Sequence, residues 1–409
     1  MPKIPHQPDV NVGTSGHVDH GKSTIVDAIT GVWTSAHSEE LRRGITIKVG
    51  YADAAFYKCP NCQSPQNYST SNQCPNCKSE GILQRVLSFV DVPGHESLMA
   101  NMLSGASLTD GAILVIAANE DVPRPQTREH LLALEMLGTK QIVIAQNKID
   151  LVTREQAKQN YESIKDFISG TVAENARIIP LSAQHRLNID ALIEAIELEI
   201  KTIPRETDKP PIMQVLRSFD INRPGSSIND MKGGVVGGSL AQGVLDVGDE
   251  IEIRPGILKE KSKKYESLTT KVASLGTGVG LVDSVRAGGL VAIGTNLDPS
   301  LTRGDSLVGV VIGHPGELPP VYESLDMDTE LFDKAIGSPE MIKVEKIKNG
   351  ETLRLNSGTA VTLGMVSSAG GDKISVNLRR PISANSASRL AISRRIADRW
   401  RLIGSGVIA

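Results

Sequence analysis

Apolar runs alternate with helical stretches along residues 9 to about 204. Residues 10–13, 112–118 and 141–146 have the length and apolar character of buried strands. This alternation is typical of a doubly wound parallel sheet, in which each strand is followed by a helix that covers the sheet. The pattern therefore predicts an α/β domain over residues 1–204.

The pattern changes after a polar, proline-rich stretch at residues 201–211, which reads as a linker. Beyond it the apolar runs are short, glycines recur at short intervals, and no convincing long helix is present. Such a pattern indicates closed β-barrels. We expect one barrel domain over residues 205–321 and a second over residues 322–409.

Residues 16–23 read Gly-His-Val-Asp-His-Gly-Lys-Ser, which fits the phosphate-loop pattern Gly-x-x-x-x-Gly-Lys-Ser/Thr. Its glycines let successive backbone N–H groups surround a polyphosphate, and the following helix adds a partial positive charge. We expect Lys22 to reach the terminal phosphates and the Ser23 hydroxyl to bind Mg²⁺. The residues predicted to contact GTP here are Asp19, His20, Gly21, Lys22, Ser23 and Thr24.

Two downstream segments are candidates for sensing the third phosphate. In a GTPase, a threonine at the position of Thr46 binds Mg²⁺ through its hydroxyl and the γ-phosphate through its amide. Asp91 begins Asp-Val-Pro-Gly-His after an apolar run. In a GTPase this aspartate contacts Mg²⁺ through a water, the Gly94 amide meets the γ-phosphate, and the next residue, His95, orients the attacking water. The residues predicted to act in catalysis are His95, Asp91, Thr46 and Lys22.

The alternatives for these positions are structural. Thr46 alone fits an ordinary strand threonine, and His95 alone fits a packed or surface histidine. Both residues follow a phosphate loop in the sequence, in the order typical of GTPases, and this favours the GTPase interpretation.

A base-recognition motif, Asn-Lys-Ile-Asp, follows the apolar run at residues 141–146. The Asp150 carboxylate can accept hydrogen bonds from the ring N–H and the exocyclic amine of guanine, which adenine does not offer. Asn147 would brace the loop, and Lys148 would lie along the base. The motif therefore predicts selectivity for guanine.

A second base contact is expected after the apolar residues 178–181. The backbone of Ser182, Ala183 and Gln184 can face the guanine carbonyl. Each motif is weak alone. In this order, each after a strand-like run, they predict a guanine-nucleotide switch that binds GTP or GDP with Mg²⁺.

Four cysteines form two Cys-Pro-Asn-Cys turns that are separated by eleven residues. Two such turns can present four thiolates to one tetrahedral Zn²⁺, whereas a redox pair or unligated thiols are the alternatives. A site with four thiolates has no open coordination position, so it is structural. The sequence predicts an inserted zinc ribbon at about residues 57–80, with the ligands Cys59, Cys62, Cys74 and Cys77.

Composition narrows the class of protein. The net charge is −3 and aromatic residues are only 3% of the chain, which argues against a sequence-reading binder of single-stranded RNA. No apolar run has the length of a membrane span and the N-terminus lacks a secretion signal, so we expect a cytoplasmic protein without a membrane partner.

The C-terminal strands are rich in arginine. A solvated face and a phosphate-contacting RNA surface are both compatible with this pattern. The residues concerned are Arg379, Arg380, Arg389, Arg394, Arg395, Arg399 and Arg401, against Asp398 alone.

These motifs resemble those of translational GTPases that carry aminoacyl-tRNA. The cysteine ribbon, residues 31–35, residues 230–239 and the ending at residues 393–404 are similar to the gamma-subunit family of archaeal and eukaryotic translation initiation factor two. The resemblance implies a heterotrimer with alpha and beta subunits. It also implies that the GTP state binds methionylated initiator tRNA, delivers it to the small ribosomal subunit, and releases it after hydrolysis.

The resemblance also bears on the chemistry. It implies that Val18 and Ile45 separate the attacking water from His95. Asp19 beside the phosphates, together with the Gly44 carbonyl, suggests a second Mg²⁺ as a hypothesis. No arginine finger is identifiable in the sequence, so we expect slow hydrolysis without a partner.

Three other functions fit parts of the sequence. An elongation factor for general or selenocysteine use shares the motifs but does not account for the cysteine ribbon. A non-catalytic scaffold would not need Lys22, Thr46 and His95. An activating subunit of sulfate metabolism shares the domain plan but leaves the ribbon unexplained.

Overall fold

The computed structural model describes residues 4–34, 46, 48–95, 98–223, 225, 227, 230–259, 261–333, 335 and 342–409. These residues form two compact units. One extends to Ile203, and the other runs from Pro204 to Ala335 and from Ile342 to Ala409. No helix among the described residues is long and apolar enough to cross a membrane.

The first unit is an α/β domain built on a seven-stranded sheet. Its strands are β1 (Val10–Ser15), β2 (Gly50–Lys58), β3 (Tyr68–Ser69), β4 (Ile82–Asp91), β5 (Gly111–Ala117), β6 (Ile142–Asn147) and β7 (Ile178–Pro180). Its described helices are α1 (Lys22–Thr30), α2 (Met99–Ala106), α3 (Pro125–Met136), α4 (Arg154–Ile168) and α5 (Ile189–Glu199).

The sheet has the strand order β3-β2-β4-β1-β5-β6-β7. β1 lies between β4 and β5 and is parallel to both, with Val12 opposite Phe89 on one side and Gly111 on the other. Every residue of β1, β5 and β6 is buried. Strands covered on both faces are expected to be continuous apolar runs, as β5 is, whereas β1 also buries the polar residues Asn11, Thr14 and Ser15.

The edge of the sheet differs from the expected parallel arrangement. β2 runs antiparallel to β4, and β3 runs antiparallel to β2. Lys58, the last residue of β2, pairs with Ile82, the first residue of β4, so the chain leaves the sheet and re-enters it at neighbouring positions. The segment between them folds as its own cysteine-containing ribbon and includes no crossover helix among its residues, all of which are described. The sheet is therefore mixed, because a parallel return needs a crossover connection.

The second unit begins with a six-stranded barrel. Its strand order is β11-β16-β8-β9-β15-β12, and pairing of β11 with β12 closes it. The strands of this region are β8 (Ile212–Phe219), β9 (Val235–Gln242), β10 (Val244–Asp246), β11 (Glu250–Leu258), β12 (Tyr265–Thr277), β13 (Gly280–Val282), β14 (Ser284–Arg286), β15 (Leu290–Thr295) and β16 (Val311–Gly313).

A second closed barrel follows, with the order β17-β20-β19-β18-β21-β22. Alternate side chains fill it, as Ile374 and Val376 of β20 do, while Asn377 is exposed. Its strands are β17 (Val321–Leu331), β18 (Thr352–Ser357), β19 (Ala360–Gly370), β20 (Lys373–Ser383), β21 (Arg389–Ile396) and β22 (Arg399–Ile408). The prediction of two β-barrels is confirmed.

The two barrels have separate apolar cores but meet closely. Gly309 has a φ of +84°, and a Cβ there would lie 2.7 Å from the Cα of Ala360. The Ser383 hydroxyl donates to the Pro319 carbonyl at 2.9 Å. These contacts explain why both barrels fall into one compact unit, although the sequence predicts two domains.

Part of the basic C-terminal surface has local partners. Arg394 pairs with Glu351, and Arg395 pairs with Asp398 at 3.0 Å. Arg401 is buried. These three arginines therefore favour the structural interpretation over an RNA surface, whereas Arg379 and Arg389 remain exposed.

Candidate functional site

The phosphate loop connects β1 to α1 at the carboxyl edge of the parallel strands. Gly16 has a φ of +132°, Asp19 of +62° and Gly21 of +91°. Two glycines relieve the strain that this left-handed backbone would impose on other residues. α1 starts directly after Gly21, so the N-terminus of the helix lies at the end of the loop.

Lys22 is folded back into its own loop. Its Nζ donates to the carbonyls of Gly16 at 3.0 Å and His17 at 2.8 Å, and the residue is only 6% exposed. Burial lowers the pKa of Lys22 to about 8, while the charges of Asp91 and Asp19 oppose that shift. In this buried position, hydrogen bonds to two loop carbonyls replace the hydration of the Lys22 amine.

Asp91 ends β4 beside the loop and is fully buried. Its carboxylate accepts hydrogen bonds from Thr14 at 2.9 Å, Ser23 at 2.6 Å and Thr34 at 2.6 Å. The Thr46 hydroxyl lies 3.0 Å from that of Ser23. The structure thus brings the predicted magnesium residues Ser23, Thr46 and Asp91 into one group of oxygens.

This group of oxygens fits Mg²⁺, which prefers carboxylate and hydroxyl ligands. Gly44 and Ile45 lie outside the described residues. The second-magnesium hypothesis for Asp19 and Gly44, and the separation of the water by Val18 and Ile45, therefore stay predictions.

Gly94 packs directly on the phosphate loop. A Cβ there would lie 2.2 Å from Lys22 Nζ and 2.9 Å from the Val18 nitrogen. Because the second contact is with backbone, the loop can approach only a glycine. The next residue, His95, is half-buried, and its carbonyl accepts the Leu98 N–H at 2.9 Å.

Asn147 joins the phosphate loop to the predicted base-binding segments. Its side chain donates to the His20 carbonyl at 2.9 Å and accepts the Ala183 N–H at 3.0 Å. Asn147 ends β6, and the segment with Ala183 follows β7, its parallel neighbour. One buried amide therefore fixes three segments that are distant in sequence.

The other residues predicted to contact the base lie around this amide. Lys148 has a φ of +64°, and Asp150 lies in the short turn that follows. Asp150 is partly exposed, with His185 Nε2 3.6 Å from its carboxylate. Ser182 is buried and Gln184 is exposed.

Sequence reasoning did not identify Thr14, Thr34 or His130 as parts of the site. Thr14 follows Gly13, which pairs with Val90, so sheet register alone would place it beside Asp91. His130 lies on α3, where its buried Nδ1 accepts the Gly16 N–H at 2.9 Å. No motif connects residue 130 with the loop.

The four cysteine sulfurs lie within 4.8 Å of one another. Sγ of Cys59 is 3.3 Å from that of Cys77, and Sγ of Cys62 is 3.7 Å from that of Cys74. Tetrahedral zinc with Zn–S bonds of about 2.3 Å places its sulfurs about 3.8 Å apart. The cluster is thus compatible with one Zn²⁺, and the Asn61 amide donates to Ser79 at 2.9 Å to join its two turns.

Comparisons with protein families match both units. A model described as the Elongation factor Tu GTP binding domain matches residues 7–202. A model described as Initiation factor eIF2 gamma, C terminal, matches residues 323–408. The fold and the site therefore define a GTPase of the translational class.

Solved structures show the same fold. A bacterial selenocysteine-specific elongation factor is 23% identical with a TM-score of 0.73, and the match covers 98% of this chain and 58% of that chain. The elongation factor SelB from Methanococcus maripaludis is 22% identical with a TM-score of 0.71, and the match covers 99% of this chain and 79% of that chain.

Curated relatives are closer in sequence. Translation initiation factor 2 subunit gamma from Archaeoglobus fulgidus is 56% identical over 408 residues, covering 100% of this chain and 96% of the relative. The same subunit from Pyrococcus abyssi is 57% identical over 404 residues, covering 98% of each. The chain belongs to the family of translation initiation factor 2 gamma subunits, and it is a translation initiation GTPase.

Proposed function

We propose that this chain binds methionylated initiator tRNA when GTP is bound, delivers it to the small ribosomal subunit, and releases it after hydrolysis. It would act in the cytoplasm as one subunit of a heterotrimer with alpha and beta subunits. The observation that carries this proposal is full-length similarity to gamma subunits together with the nucleotide site described above.

The affinity for initiator tRNA tests this proposal. With the alpha and beta subunits present, we expect methionylated initiator tRNA to bind at least about tenfold more tightly with a GTP analogue than with GDP, a typical coupling between sites. Filter binding or fluorescence titration measures both affinities, with an elongator tRNA as control. Equal affinity in both nucleotide states would favour a scaffold, and equal affinity for both tRNAs would favour an elongation-type carrier.

The phosphate end of the site divides into parts with separate roles in this proposal. Lys22 and the loop N–H groups bind the β- and γ-phosphates, and Ser23 and Thr46 bind Mg²⁺, with Asp91 behind them. Bound Mg²⁺ would neutralise charge on the phosphates. Gly94 packs against the loop, which supports the proposal that its amide detects whether a third phosphate is present.

His95 is proposed to orient the attacking water. It follows Gly94 directly, and the residue is half-buried. Its role concerns the transition state, so nucleotide binding should not depend on it.

We expect His95→Ala to retain nucleotide and tRNA affinity but to lose about 10²- to 10⁴-fold in hydrolysis rate, the usual contribution of a positioned acid–base group. Single-turnover hydrolysis with the other subunits and small ribosomal subunits measures this rate. The matched control is His6→Ala, which removes a partly exposed histidine that pairs with Asp9. Undiminished turnover in His95→Ala would assign the water to another residue.

Asp150 is proposed to select guanine. In Asp150→Asn, an amide N–H meets the donors of guanine, so we expect affinity for GDP to fall by about 100-fold or more. Affinity for the xanthine nucleotide should rise, because xanthine offers a carbonyl in place of the exocyclic amine. Competition binding measures both, with the exposed Asp166→Asn as control. Unchanged preference for guanine would reject this role.

The cysteine cluster is proposed to bind one structural Zn²⁺. Elemental analysis of the purified chain should give about one zinc per chain, since four thiolates complete a tetrahedral site. Cys74→Ser should lose the ion, and Asn61→Ala in the same ribbon should keep it. Four thiols that react freely without releasing zinc would contradict the proposal.

A further inference from the structure

His130, a residue of α3, contacts the phosphate loop. The helix packs against β1 and β5, and its buried face includes His130, Leu131 and Leu134. His130 is only 1% exposed. A histidine so deeply buried needs a partner for its ring nitrogens, and Nδ1 has one in the Gly16 N–H.

The hydrogen bond defines the state of the ring. Nδ1 accepts from a backbone N–H, which can only donate, so the ring is neutral and its proton is on Nε2. Burial and the nearby Lys22 charge hold the pKa of His130 well below its usual value. His17 and His20 contribute smaller shifts in the same direction.

Gly16 transmits this contact to the phosphate-binding amine. Its N–H donates to His130, while its carbonyl accepts Lys22 Nζ at 3.0 Å. The Val115 carbonyl packs closely against Gly16, because a Cβ at this position would lie 2.2 Å from its oxygen, so no larger residue fits here. That same carbonyl contacts His20 Nδ1 at 3.0 Å. The orientation of Gly16 is therefore coupled to the position of Lys22.

We propose that His130 is a positioning residue for nucleotide binding, which orients Gly16 through its Nδ1 acceptor and thereby places Lys22 and the start of the phosphate loop. The inference rests on guanine-nucleotide binding at this loop. His130 itself need not touch the nucleotide. A residue with only a packing role would have no requirement for an acceptor atom at this position.

Two substitutions separate the acceptor from the bulk of the ring. His130→Leu keeps an apolar side chain but leaves the buried Gly16 N–H unpaired. His130→Asn is smaller, yet its Oδ1 occupies the branch position of Nδ1 and can accept the same hydrogen bond. Leu134→Ala, on the same helix and equally buried, is the control for general loss of stability.

We expect His130→Leu to weaken GDP binding by about ten- to hundredfold, as an unpaired buried N–H would, and His130→Asn to restore most of that loss. Fluorescent GDP titration gives the affinities, and thermal unfolding of each variant gives its stability. The KM for GTP should rise in His130→Leu while kcat changes little. Leu134→Ala should lower the melting temperature without changing GDP affinity.

Binding of His130→Leu within about twofold of wild type would overturn the inference. An affinity of His130→Asn no better than that of His130→Leu would do so as well, because ring volume would then be what matters. Absence of guanine-nucleotide binding in the wild-type chain would instead contradict the assigned nucleotide site, so the two failures are distinguishable.

Discussion

Two buried charges of opposite sign determine how the nucleotide site is built. Lys22 is held by two loop carbonyls, and Asp91 by three hydroxyls. A buried charge is costly unless dipoles replace the lost water, and these neutral groups supply them. Neutral dipoles can be exchanged for a phosphate or a cation without breaking an ion pair. Both charged groups thus have polar partners without a ligand, yet both remain available to a ligand of opposite sign.

Much of this arrangement could be predicted from the sequence, because parallel strands end at one edge of a sheet. The phosphate loop follows β1, and Asp91 and Asn147 are the last residues of strands whose apolar runs are visible along the chain. A sequence pattern that fixes the strands therefore also fixes which polar residues meet. The two barrels were predictable at a coarser level, since alternation and turn glycines reveal strands but not the register that closes them.

The remaining features depend on contacts between elements that the sequence does not connect. His130 reaches Gly16 across 114 positions and Thr34 reaches Asp91 across 57, and neither His130 nor Thr34 lies in a nucleotide-binding motif. The antiparallel edge of the sheet was also unexpected. It follows from the ribbon returning the chain to its point of departure, and a cysteine spacing indicates a metal site but not the direction of the next strand.

The supports of the phosphate loop differ in kind from the segments that would detect the third phosphate. Asn147 holds the end of the loop at His20, and His130 holds its start at Gly16, both from buried elements of the sheet and its helices. Thr46 and Gly94 instead belong to the two segments predicted to sense the third phosphate, and they contact Ser23 and Lys22 respectively. We infer that these buried supports set the affinity common to GDP and GTP. The difference between the two nucleotides then has to come from Thr46 and Gly94, because only an interaction that changes with the third phosphate can shift a conformational equilibrium.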